Sequence, residues 1–289
     1  MALKQIDSTF TDAYGISIHY HRWAPKGEPK AVIQIVHGLG EHALRYRYLA
    51  ERLVAEGYEV WGDELRGHGP TGLEQWNGDF SKLGKLGPGG VRAAISAVRQ
   101  FSRIIRKERP GKQLIIIGHS IGAIFAQMIL NIGGSEDYDR VVLTGAALRL
   151  PGFMNAGNLN SRHRHLGSIG SEWLSRDLAV QEAWRDDPLT FVANTLRLFG
   201  LVDSARLLGV PRRLEYYPPI LIQIGSDDSL GGKRSATQLK KAFLAKGSSD
   251  VTLRIYEDAR HEVFNEINKD QVIDDLLCWL NSGTIGRRL

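Results

Sequence analysis

Six short runs rich in Ile, Val and Leu, at 31–36, 58–61, 114–118, 141–145, 220–225 and 251–256, are separated along the chain by stretches long enough for amphipathic helices. This alternation constrains the fold most, because strands joined by helix-length crossovers build a mostly parallel sheet with helices on both faces. Three of the runs are nearly continuous in Ile, Val and Leu, as strands covered on both sides must be, and these belong in the middle of the sheet. Nearer the N-terminus Ile16, Ile18 and Tyr20 alternate with Ser17, His19 and His21 after Tyr14-Gly15, which predicts a half-exposed antiparallel hairpin at an edge. Apolar stripes at helical spacing run through Val91, Ala94, Ile95, Val98, Phe101 and Ile105, through Ile121, Ile124, Phe125, Met128 and Ile129, and through Val272, Ile273, Leu276, Leu277 and Leu280. The last predicts a closing helix that carries Cys278 without a chemical role.

The rhythm breaks over 146–217, where no continuous β-branched run occurs and only helical fragments, at 171–184 and 189–199, can be read. The expected organisation is therefore an α/β core made of 1–145 and 218–289, interrupted by a helical cap insertion at 146–217. A chain of 289 residues is long enough for one large domain with such an elaboration. Within the insertion 151–170 is rich in Gly, Asn and Ser and reads as mobile. Leu148, Leu150, Phe153, Met154, Trp173, Leu174, Trp184, Leu196 and Phe199 read mainly as the insertion's own small core, and their apolar character suits a hydrophobic ligand.

A content of 43% hydrophobic and 24% charged residues supports a sizeable core and excludes a disordered or fibrous chain. One cysteine excludes an internal disulfide and a cysteine-based zinc cage. The formal charge is +5, but Lys and Arg are interleaved with Asp and Glu and form no stripe with aromatic residues, so nucleic acid is not an expected partner. The densest basic cluster, Arg162, His163, Arg164 and His165, reads as a solvated loop. With no leader-like apolar block and no uninterrupted apolar run near about 18 residues, the expectation is a cytoplasmic protein with at most peripheral membrane contact through the cap.

Chemistry enters where the run 114–118 passes directly into Gly118-His119-Ser120-Ile121-Gly122 and then into a helical stripe. A serine on a sharp strand-to-helix turn is lifted clear of the sheet edge, and glycines two residues to either side remove side chains that would strike the neighbouring elements. A serine hydroxyl needs an imidazole to take its proton and a carboxylate to orient that imidazole. Both should follow later strands: Asp227 and Asp228 come after 220–225, and His261 comes after 251–256. Spacing does not choose between the two aspartates. The run 31–36 ends in His37-Gly38-Leu39-Gly40, which can supply one N–H donor to a developing oxyanion, and Ile121 can supply a second. A zinc hydrolase would need a histidine where Asn265 stands, and a phosphate loop would need glycine at Asp227 and Ser or Thr at Arg234. No metal and no organic cofactor is called for.

The blocks HGLGEHALRY at 37–46, RGHG at 66–69, GHSIG at 118–122, SRD and DPL within 175–189, GSDD at 225–228 and HEVFNE at 261–266 resemble, in order, those of α/β-hydrolases of the monoacylglycerol lipase and lysophospholipase group, the serine aminopeptidase S33-like family. The resemblance implies the α/β-hydrolase fold, with Ser120 as nucleophile, His261 as general base and Asp228 as acid. It implies an oxyanion hole from the N–H groups of Leu39 and Ile121, and a site wall or support from His37, Gly38, Glu41, His42, Arg45 and His119. The implied activity is hydrolysis of a hydrophobic acyl or alkyl ester through an acyl-enzyme. Alternatives are an aminopeptidase or amidase, which would need an acidic clamp from Glu172, Asp177, Glu182, Asp186 or Asp187, and a non-catalytic binding module on the same scaffold. Glu64 departs from the family pattern, which has Asp two residues before the RGHG-like block, and the cap is the least matched region.

Overall fold

The computed structural model describes residues 4–155 and 157–282. Residues 1–3 and 283–289 of the expected core and residue 156 of the expected insertion lie outside the described residues. Eight strands, β1 (Gln5–Thr11), β2 (Ser17–Trp23), β3 (Val32–Val36), β4 (Glu59–Asp63), β5 (Leu114–His119), β6 (Arg140–Thr144), β7 (Ile220–Gly225) and β8 (Val251–Tyr256), form one sheet in the order β1-β2-β4-β3-β5-β6-β7-β8. The β1–β2 hairpin lies antiparallel at one edge, and every pair from β4 to β8 is parallel. This is the α/β-hydrolase fold the sequence predicts.

Strand periodicity explains the layers. In β3, Val32 and Val36 join one core cluster while Ile33 and Ile35 join another, and β5 divides in the same way between Leu114 and Ile116 on one side and Ile115 and Ile117 on the other. Against the first face pack α3 (Gly90–Glu108), α4 (Ile121–Ile129) and α7 (Gly232–Ala245), and against the second α1 (Arg47–Ala55) and α8 (Lys269–Ser282). A short helix, α2 (Gly69–Gln75), runs beside β2. Each stripe predicted from spacing is buried as predicted: α3 turns Val91, Ala94, Ile95, Val98, Phe101 and Ile105 inward, and α8 buries Val272, Ile273, Leu276, Leu277 and Leu280 while leaving Cys278 exposed. Among the described residues, no helix is long and apolar enough to cross a membrane.

Between β6 and β7 the helices differ from the sequence expectation. Helix α5 covers Leu178–Asp186, because Asp177 caps it by accepting from the Ala179 N–H, and 171–177 runs as turns. Helix α6 covers Thr195–Arg206, starting where Asn194 accepts from the Arg197 N–H, and it is broken at Gly200, whose φ is +72°. Of the residues expected to form the segment's own apolar core, Leu174 and Trp184 are buried outside both clusters, but most of the others go elsewhere. Leu148 belongs to the first core cluster, Leu150, Phe153, Met154 and Phe199 pack partly buried against that cluster, and Leu196 is exposed.

Candidate active site

The chain reverses direction in the sheet order at β3: β4 lies on one side of it and β5 on the other. Ligands of open α/β sheets bind at such a switch point, beyond the carboxyl ends of the strands. Here Val36 pairs with Gly118, so Leu39 and Ile121, each three residues further on, leave adjacent strands at the same edge. Gly225 pairs with Tyr256, so Asp228 and His261 emerge at that edge as well.

Ser120 stands between β5 and α4 with φ +52° and ψ −115°, one of three described non-glycine residues with positive φ. The glycines beside it are there for space. A Cβ on Gly118 would sit 2.5 Å from the Gly122 carbonyl oxygen, and one on Gly122 would sit 2.1 Å from the Val36 carbonyl oxygen. The turn is held by the Ser120 N–H donating to the Thr144 carbonyl (3.0 Å) and the Ile124 N–H donating to the Ser120 carbonyl (3.0 Å). Ile121 opens α4, where backbone N–H groups have no partner within the helix and the positive end of the dipole faces outward.

His261 is buried, and its Nδ1 lies 2.9 Å from both carboxylate oxygens of Asp228, which is buried too and also accepts from the Leu230 N–H at 2.7 Å. Burial disfavours both charges, but each group more than offsets it for the other. The His261 imidazole is raised above its ordinary value and the Asp228 carboxyl is lowered below its own. His261 Nε2 is buried and accepts or donates no hydrogen bond, and its Cε1 lies against the Gly145 turn that anchors the Ser120 amide. Enzymes that use a serine–histidine pair often close that bond only with substrate in place. His119, whose ring centroid is 4.7 Å from that of His261, is pushed down to about 3 by burial and by its neighbour, and its Nδ1 meets Thr144 Oγ1 at 3.1 Å. Of the two imidazoles side by side, His119 is held neutral and only His261 has its affinity for a proton raised. A half-buried strained serine, an imidazole held at one nitrogen and open at the other, and a helix N-terminus together can support nucleophilic acyl transfer.

The family model described as serine aminopeptidase, S33 (Hydrolase_4) matches residues 27–268. The chain belongs to this family. A monoacylglycerol lipase of Mycolicibacterium smegmatis is 28% identical over 294 aligned positions, covering 96% of this chain and 97% of the relative. The human monoglyceride lipase is 29% identical over 274 positions, covering 91% and 86%. A thermostable carboxyl esterase of Bacillus coagulans, solved with glycerol, superposes with a TM-score of 0.77 at 20% identity over 97% of this chain and 99% of that one, which places the fold.

In this S33 family member the loop after β3 is braced from beneath. Glu41, buried, accepts from the Gly38 N–H and from Tyr46 Oη (2.7 Å) and binds Arg45 Nε (3.2 Å), while Arg45 also reaches Glu262, next to His261, at 2.5 Å. A chain of charge thus ties the Leu39 loop to the His261 loop, a link between positions 217 residues apart that spacing could not reveal. His37 lies wholly buried under the loop, with Nδ1 2.7 Å from the Gly38 carbonyl and Nε2 accepting from the Leu65 N–H at 3.0 Å. It supports the loop from below and does not form its surface. His42 Nε2 binds Asp187 Oδ2 at 2.7 Å, joining the loop to the segment between β6 and β7. Phe191 of that segment donates its N–H to the Gly40 carbonyl at 3.1 Å.

Glu64, the departure from the family pattern, accepts from the Ala43 N–H (3.1 Å) and from His21 Nε2 (3.0 Å), and His21 Nδ1 meets Asp7 at 2.7 Å. Burial alone would lower His21, but Glu64 and Asp7 outweigh it and raise the imidazole above 6.5, while Glu64, against the pull of its own burial, is held below 4.5 by His21 and its neighbours. Stabilisation from His21 is therefore complete below pH 6.5 and lost as pH rises through the raised value. That from Glu64 is complete above pH 4.5 and lost as pH falls through the lowered value. Replacing His21 by glutamine is expected to cost about 1–3 kcal/mol, with the largest drop in melting temperature between pH 4.5 and 6.5 and a smaller one in alkali. A drop independent of pH would remove the ion pair from the account.

The basic cluster read as solvated is solvated at Arg162, Arg164 and His165 only. His163 is 2% exposed and binds Asp227. The stretch 151–170, read as mobile, is tied through Asn155, Asn160 and His163. Trp173, read as insertion core, lies against the His261 ring, with centroids 4.8 Å apart and planes tilted by 35°.

Proposed function

We propose that the protein hydrolyses carboxylic esters with a hydrophobic acyl group, monoacylglycerols being the substrate class, through Ser120 as nucleophile, His261 as general base and Asp228 as its orienting acid. The observation that carries this reading is His261, fixed by Asp228 at Nδ1 with a buried, unpartnered Nε2 beside the strained Ser120 turn. Ser120 Oγ attacks the ester carbonyl while His261 Nε2 takes its proton. Asp228 stabilises the imidazolium so formed, and the N–H groups of Leu39 and Ile121 donate to the oxyanion, each worth about 3 kcal/mol of barrier. His261 then protonates the leaving alcohol, and water repeats the sequence on the acyl-enzyme. No cofactor takes part in this scheme.

Residues 146–217 act as a cap over the acyl group in this reading, and 1–145 with 218–289 as the catalytic core. Val192, Leu196, Leu201 and Val202, exposed on the cap, suit a peripheral contact with the lipid surface that supplies an apolar ester. A lone Cys278 suits a cytoplasmic setting. Four of the five carboxylates that an aminopeptidase clamp could use already have partners, which favours the ester reading. Glu172 is spent on the Ile169 and Gly170 N–H groups, Asp177 on the cap of α5, Asp187 on His42 and the Leu189 N–H, Asp186 on Arg185, and Glu182 is exposed on α5. On a panel of monoacylglycerols, lysophospholipids, p-nitrophenyl esters and aminoacyl anilides, kcat/KM for a monoacylglycerol is expected to exceed that for any aminoacyl anilide by at least about 100-fold. A faster aminoacyl anilide would overturn the ester assignment.

A further inference from the structure

Resting on the triad proposed above, we infer that His163, a cap residue, is a positioning residue for the reaction: it clasps the loop that carries Asp228 and so holds the acid on His261. The loop 226–231 needs such a clasp. A cleft of about 290 Å³ opens against Asp228, lined also by Phe153, Asn155, Arg162, Ser229 and Leu230, so core packing does not back the loop there. What backs it is cap side chains gripping the residues on either side of Asp228. His163 Nε2 binds Asp227 Oδ2 at 2.7 Å and its Nδ1 meets Ser229 Oγ at 3.0 Å, while Arg162 pairs with the other Asp227 oxygen at 2.5 Å. Asn155 adds its N–H to the Leu230 carbonyl (2.7 Å) and its side-chain amide to the Ser229 carbonyl (3.2 Å). Both ring nitrogens of a buried imidazole are thus committed to the two residues flanking Asp228, one before and one after it.

The same segment holds the base. The Glu262 N–H donates to the Leu174 carbonyl at 2.7 Å, Arg260 reaches the Glu172 and Ser175 carbonyls, and Arg176 binds Glu266. None of these contacts uses the His163 ring, which binds only the Asp228 loop, so removing the ring loosens the acid more than the base. The groups that act on His261 are Asp228, Glu262, Glu41 and the Arg45 that joins the last two, with neutral His119 and the Trp173 ring beside it. Of these only Asp228 sits on the clasped loop. Loosening it withdraws charge that raises His261, and burial then pulls the imidazole down.

The test is the pH dependence of kcat/KM for p-nitrophenyl acetate, a soluble ester too small to need the cap for binding. Changing His163→Leu is expected to lower kcat about tenfold with KM unchanged and to move the acid limb of the profile to lower pH. His163→Gln, which keeps a donor for Asp227, restores the parent midpoint. A merely structural role would shrink the active fraction equally at every pH and leave the midpoint in place, and that result overturns the inference. Should His163→Leu fail to fold, Ser229→Ala, which removes the Nδ1 partner alone, carries the test: a smaller shift in the same direction supports the clasp and an unmoved midpoint refutes it. Parent protein without Ser120-dependent turnover would refute the triad reading itself, an outcome distinct from an active parent whose profile His163 does not influence.

Discussion

Replacing Ser120 by alanine is expected to reduce kcat on any ester by about 10⁵- to 10⁶-fold, because removing a nucleophile that acts as one unit with its base removes the covalent route and leaves only binding and oxyanion stabilisation. The fold should not suffer. Ser120 Oγ makes no hydrogen bond that organises the turn, whose anchors are backbone contacts to Thr144 and Ile124, so stability should stay within about 0.5 kcal/mol of the parent. Glycine at the same position sharpens the argument. With φ +52° and ψ −115°, any side chain at 120 is strained, and Ser120→Gly should be as inactive as the alanine variant yet more stable than it by about 1 kcal/mol. A fluorophosphonate probe should label the parent and neither variant. Turnover or labelling that survives at more than about 1% of the parent would assign the nucleophile elsewhere.

What the sequence made legible and what it hid have a common physical cause. Strands buried on both faces must be continuous in Ile, Val and Leu, so β3, β5 and β7 were readable from local composition, and residues just beyond their ends fall at one edge of a parallel sheet whatever the loops do. Ser120, Leu39, Asp228 and His261 inherit their placement from that rule. The Ser120 turn was readable for a steric reason: the Val36 and Gly122 carbonyls leave no room for a Cβ at 122 or 118. Contacts made across the chain leave no such local trace. His163 sits among exposed Arg162, Arg164 and His165 and looks like one more solvated cation; only the fold shows that its ring alone turns inward. Trp173 and Leu174 look like helical apolar residues, but serve as turns that seat the His261 loop, which is why α5 begins at Leu178 and not at 171. Glu64 stands two residues before Arg66, and its carboxylate binds His21, a partner 43 residues earlier.

The two adjacent aspartates that spacing could not separate should differ by orders of magnitude when each is changed to asparagine. Asp228→Asn is expected to lower kcat about 10⁴-fold, as an asparagine cannot stabilise the imidazolium or hold its tautomer. Asp227→Asn should cost at most about tenfold, since Asp227 is spent on Arg162 and His163 and the one amide oxygen left there still accepts from one of them. The pH profiles should separate the two as well. His261 works as a base only when neutral, and its raised value means that parent kcat/KM climbs with pH through a midpoint above 6.5. In Asp228→Asn the largest opposing influence, burial, is left without the charge that outweighed it, so the residual activity should titrate at lower pH. Asp227→Asn leaves that charge in place and should keep a midpoint close to the parent's. A larger loss in Asp227→Asn, or a parent profile flat across the titration of His261, would mean that the 2.9 Å contacts between Asp228 and Nδ1 do not orient the base that the reaction uses.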